Sequence, residues 1–106
     1  MAFSSINEQT RFSTEKYQKN NLVSTDRSML DVYCLLPGQR QGLHAHAEND
    51  KYYVIWRGEA EVTIGSETRT LRAGDVAVSV PGVEHSIANA SKRPLVVLVF
   101  QAPKPF

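Results

Sequence analysis

One cysteine, Cys34, is all that the 106 residues contain. A lone thiol cannot close an internal disulfide or build a structural zinc site from cysteine pairs, so a cystine-stapled scaffold is excluded and a reducing compartment is the expected setting. Apolar runs are equally scarce: none approaches the ~20 residues needed to cross a bilayer as a helix. Met1 to Asn7 also lacks the charged and apolar regions of a secretory leader. Charge of one sign is missing too. The 12 Lys and Arg are interspersed with 11 Asp and Glu, giving a formal net charge of +1. Without a basic stripe nothing calls for nucleic acid or an anionic membrane surface. No phosphate-cradling glycine loop, no Gly-x-Ser-x-Gly elbow and no sustained 3.6-residue period is present. The expectation left standing is one soluble, cytoplasmic domain.

What is there reads as β-structure. The length suits one core, and 42% apolar with 22% charged residues is ordinary for a globular chain. Residues 1–27 are polar, anchored only by Phe12, Tyr17 and Leu22-Val23, and read as an N-terminal arm with room for a short strand. Residues 28–106 change character. Leu30, Val32, Cys34 and Leu36 share one face at period 2, and Pro37-Gly38 closes that segment. Cys34 thereby belongs to an apolar face and reads as core, not as a nucleophile. Leu43 to Ala47, Tyr52 to Trp56, Glu61 to Ile64, Thr68 to Arg72, Val76 to Val80 and His85 to Asn89 follow as short strands separated by Gly and Pro turns. Leu95 to Phe100 is apolar without alternation, as in a strand covered on both faces. Short strands at even spacing predict an all-β sandwich or barrel.

The chain has three histidines, His44, His46 and His85. In a strand, positions i and i+2 face the same side, so His44 and His46 project together. They form either a pair of imidazole ligands or two surface residues on an edge strand. His85 opens a strand just after the Pro81-Gly82 turn. In a barrel, strands distant in sequence face one another, and His85 can supply a third ligand.

Gly38, five residues, His44-Ala45-His46 and then Gly58 resemble the first cupin motif. Gly74, then Gly82, two residues, His85, three residues and Asn89 resemble the second, with the short spacing between motifs found in compact microbial cupins. The resemblance covers roughly residues 28 to 102. It implies a cupin jelly-roll β-barrel, single-domain, with one divalent metal ion (Fe, Mn, Ni or Zn) held by the motif histidines, and a homodimer. Two positions depart from the motifs. Val80 stands where the second motif usually has proline, with Pro81 shifted by one. Lys51 stands where the first motif usually has a glutamate ligand. A protonated lysine offers no lone pair, so a three-histidine site is expected unless Glu48 or Asp50, the nearest carboxylates in the strand and turn, or Glu84 beside His85, substitutes.

Lys51 itself has two readings: a solvent-facing residue paired with Asp50 or Glu48, or an ammonium at the pocket rim that attracts an anionic substrate. If Lys51 points inward, parity sends Tyr53 and Ile55 inward and Tyr52, Val54 and Trp56 outward. That outer face then needs cover, from the N-terminal arm or from a second subunit. The expected function is metal-dependent chemistry on a small, anionic molecule, dioxygenase-like or isomerase- and lyase-like, with Lys51, Tyr53 and Glu84 as pocket and acid–base candidates. The alternative is a binding or sensing module that holds a small-molecule ligand without turning it over.

Overall fold

The computed structural model describes residues 2–45 and 48–104. One helical turn, α1 (Ile6–Gln9), precedes nine strands: β1 (Gln18–Ser24), β2 (Met29–Leu35), β3 (Arg40–His44), β4 (Asp50–Arg57), β5 (Glu59–Ile64), β6 (Glu67–Arg72), β7 (Val76–Ser79), β8 (His85–Ala88) and β9 (Leu95–Ala102). They form a five-stranded sheet in the order β1-β2-β9-β4-β7 and a four-stranded sheet in the order β3-β8-β5-β6. Every pairing is antiparallel. This is the all-β architecture expected from the turn spacing, in the jelly-roll form that the motif resemblance implies.

Alternation along β4 shows how side-chain period sets the layers. Lys51, Tyr53 and Ile55 are buried between the sheets, while Tyr52 and Trp56 are exposed. The interior also takes Tyr33, Leu35, Val62, Ile87, Leu95, Val97 and Val99. Each such aliphatic side chain contributes about 1.5–3 kcal/mol by leaving water. β9 is central, paired with β2 on one side and β4 on the other, and its Val96 faces away from the interior yet is buried. Its unbroken apolar run reflects cover on both faces.

That second cover comes from the start of the chain. Val32, Cys34, Val96 and Leu22 cluster on the outer side of the large sheet, with Ile6 and Phe12 packed over them. The face of β2 carrying Leu30, Val32 and Cys34 therefore lies under the arm, and the opposite face, Asp31, Tyr33 and Leu35, enters the barrel. Cys34 is fully buried and burial raises its thiol pKa, which fits a packing role. Trp56 stays 49% exposed, so the arm does not cover it.

Two details fix the ends of strands. Gly58 joins β4 to β5 at φ 90°, and a Cβ there would lie 2.5 Å from the Pro94 carbonyl oxygen. Only glycine satisfies both the left-handed backbone and the close approach. Asn89, the last motif residue, is buried and donates through Nδ2 to the Leu35 and Arg93 carbonyls. Its Oδ1 accepts from the Ser91 amide and hydroxyl. Its role is to tie three backbone segments together.

Candidate metal and ligand site

β3 and β8 pair so that His44 and His85 face each other directly. Residues opposite each other in an antiparallel pair lie within side-chain reach, and here the rings meet edge to face with centroids 4.2 Å apart. His44 Nδ1 donates to the Gly42 carbonyl at 2.8 Å. His85 Nδ1 lies 2.9 Å from Ser79 Oγ and 3.1 Å from the Val83 carbonyl. Ser79 Oγ spends its own proton on that same carbonyl, so His85 Nδ1 is the donor to both oxygens. Neutral imidazoles with Nδ1 protonated carry their lone pairs on Nε2. The two Nε2 atoms lie 3.0 Å apart.

Two lone pairs held this close are stabilised by a proton or a metal ion shared between them. Nitrogens sharing one zinc-like ion each sit about 2.0–2.1 Å from it, hence no more than about 4.2 Å from each other. The observed separation meets that limit, and the tethers at Nδ1 are the outer-shell contacts that orient metal-binding histidines. The donor chemistry thus fits a divalent ion. His46, the third expected ligand, lies outside the described residues. Among the described residues no group of three His, Cys, Asp or Glu side chains gathers as a ligand set. Glu48 and Glu84 are exposed and Asp50 is half-buried.

Lys51 is 1% exposed, which overturns the solvent-facing reading and its ion pair with Asp50 or Glu48. Its Nζ donates to Gln41 Oε1 at 3.1 Å and lies 3.5 Å from His44 Nε2. It also stands over the rings of Tyr33 and Tyr53, at 5.2 and 5.5 Å from their centroids, where the negative π faces favour a cation. Burial, then the neighbouring Lys19 charge, depress its pKa to about 7, against a raising effect of Asp31. Desolvation likewise lowers the pKa of His44, which keeps its imidazole neutral and able to ligate. Tyr53 is fully buried and its hydroxyl has no hydrogen-bond partner among the described residues. Burial, reinforced by Tyr33 and Tyr17, raises its pKa.

A cavity of about 600 Å³ opens beside these groups. It lies where β1, the edge of the large sheet, and β3, the edge of the small one, stand apart. Lys19, Asn21, Asp31, Gln41, Lys51 and Gln101 supply its polar lining. Asp31, Gln41, Ser79 and Gln101 were not singled out from the sequence. Asp31 had a signal: it is the one charged residue in the apolar run of β2. The residue is 4% exposed, and its carboxylate accepts from Asn21 Nδ2 at 2.9 Å and has a pKa raised by burial against the lowering effects of Asn21, Lys19 and Lys51.

Known proteins share this architecture. The family model described as "Cupin domain" matches residues 31–101. A Streptomyces coelicolor protein, SCO3923, is 31% identical over 80 residues, which are 74% of this chain and 75% of that one. The crystal structure of TT1209 from Thermus thermophilus superposes with a TM-score of 0.94 at 35% identity, covering 99% of this chain and 100% of the other. A Klebsiella pneumoniae protein with a double-stranded beta-helix domain superposes at a TM-score of 0.89 with 28% identity, covering 97% and 90%.

Proposed function

The chain belongs to the cupin family, and we propose on that footing that it is a metal-dependent enzyme for a small, anionic molecule. His44, His46 and His85 would hold one divalent ion (Fe, Mn, Ni or Zn). The observation that carries this is the 3.0 Å approach of two Nε2 atoms whose rings are fixed at Nδ1. Such an ion supplies Lewis-acid polarisation of a bound oxygen, or redox chemistry if it is iron or manganese, in dioxygenase-like or isomerase- and lyase-like reactions.

The chain's own residues do the rest. Lys51 brings positive charge to the inner end of the cavity, where it draws in an anion and opposes charge build-up on a carbonyl oxygen. Tyr33 and Tyr53 wall off water behind it. Lys51 and Asp31 have pKa values pushed toward neutrality from opposite directions, a combination suited to passing a proton to and from a substrate. Glu84, being exposed, is the weakest of the acid–base candidates. Elemental analysis of protein produced in metal-supplemented medium should give close to one ion per chain, and His44→Ala should lower it. No ion in either protein would refute the metal centre.

Lys51 in the place of a carboxylate favours a second reading, a binding or sensing module, because a cation beside the site weakens metal affinity. Turnover assays with metal-loaded protein on carboxylate substrates separate the two: saturable binding without product formation selects the module. The exposed outer face of the large sheet, with Tyr52, Trp56, Val76, Val78 and Phe100, supports a homodimer in which a second copy covers it by twofold packing of like on like.

A further inference from the structure

We infer that the cavity selects a polyhydroxylated carboxylate, such as a six-carbon sugar acid, with Lys51 and Lys19 binding its carboxylate and Asp31 accepting from a hydroxyl. This rests on reading the cavity as a small-molecule site and names the class of molecule.

The unused hydrogen-bonding capacity of the lining carries the inference. An ammonium has three donors. Lys51 donates one to Gln41 Oε1, His44 Nε2 lies 3.5 Å away with its lone pair given to the metal in this reading, and no other side chain among the described residues accepts from Lys51. Gln101 Oε1 accepts from Asn49, which turns the Gln101 amide nitrogen, a second donor, loose at the cavity wall. Asp31 accepts at Oδ1 from Asn21. Its other oxygen has no side-chain partner among the described residues and is not a sealed-off atom. A buried carboxylate is acceptor-only when ionised, so it is satisfied by a ligand that donates O–H groups. A ligand carboxylate beside Lys51 favours its protonated form, so that two ammonium groups then face one aspartate in the lining, which suits one negative charge on the ligand. A simple fatty acid would supply the charge and strand Asp31. A neutral polyol would satisfy Asp31 and leave the lysines uncompensated. Only a molecule bearing both groups answers both walls, and 600 Å³ has ample room for a six-carbon chain.

The test is calorimetric titration of the full chain, metal-loaded and chelator-stripped, with three six-carbon aldonates (D-gluconate, D-galactonate, D-mannonate), with hexanoate and with sorbitol. At least one aldonate should bind about tenfold or more tighter than both hexanoate and sorbitol. Asp31→Asn, which keeps shape and the contact with Asn21, removes the carboxylate that hexanoate strands and should bring that aldonate within about threefold of hexanoate. Lys19→Met, at an exposed position that does not threaten folding, should weaken aldonates and spare sorbitol. The proposal is overturned if no aldonate outbinds hexanoate in either form, or if the preference survives both substitutions. Absence of metal with the aldonate preference intact would instead overturn the metal centre alone.

Discussion

Replacing Lys51 with methionine should make the chelator-stripped protein more stable, and most so at the lower end of the range from pH 7.5 to 9.5. The folded-state pKa of about 7 lies well below the ordinary lysine value of about 10.4. Between those values the unfolded chain binds a proton that the folded chain has released, so wild-type stability rises with pH at up to about 1.4 kcal/mol per pH unit. From pH 7.5 to 9.5 the lysine contribution should change by about 2.5 kcal/mol. Methionine carries no such proton and fills nearly the same volume. Cys34 and the buried tyrosines, whose raised pKa values act in the opposite direction at the alkaline end, are common to both proteins and cancel in the difference. His44, lowered from its usual value by desolvation, titrates below this window, and Asp31, raised by burial, is common to both proteins. Urea unfolding at four or five pH values gives both curves. Parallel curves for the two proteins would show that Lys51 keeps an ordinary pKa, and the account of its burial would fall.

Gly58→Ala should cost about 1–3 kcal/mol, because it adds a steric clash with the Pro94 carbonyl to a left-handed backbone; Gly38→Ala, at φ 87° with open space around it, should cost visibly less in the same urea titration. Ser79→Ala removes one of the two oxygens that hold His85 Nδ1 and should reduce metal affinity by about tenfold in a competition assay with a chromophoric chelator, with little change in melting temperature. Trp56→Glu places a charge on the exposed apolar face, and light scattering should then report the mass of one chain where the wild type reports two.

Much of the barrel was legible because side-chain parity is a local property. The alternation from Lys51 to Trp56, the two-sided run of β9 and the Gly-Pro turns are all visible in a window of a few residues. Parity alone does not say which face of a strand meets which layer. The Leu30, Val32 and Cys34 face is apolar as expected, yet its cover is the arm, and the barrel interior takes the alternate residues, including Asp31. The strand expected over Leu43 to Ala47 starts earlier, at Arg40, and ends at His44. From the sequence His85 is expected on a strand facing His44 from across the barrel, whereas the two are direct neighbours on adjacent strands of one sheet. Lys51 stayed open because lysine is ordinarily a surface residue. Its burial depends on two tyrosine rings and Gln41, contributed by β2, β3 and β4, and no single stretch of sequence carries that information.

The arm and the cavity share a wall. Lys19 and Asn21 belong to β1, and β1 is held on β2, whose outer face rests against Ile6 and Phe12. Trimming the chain to the segment that matches the family model would remove that wall and bare Val32 and Cys34 at one stroke. Whatever ligand selectivity the cavity has is therefore set partly by a stretch outside the histidine motifs, and two barrels with identical histidines would hold different molecules if their first two dozen residues differed.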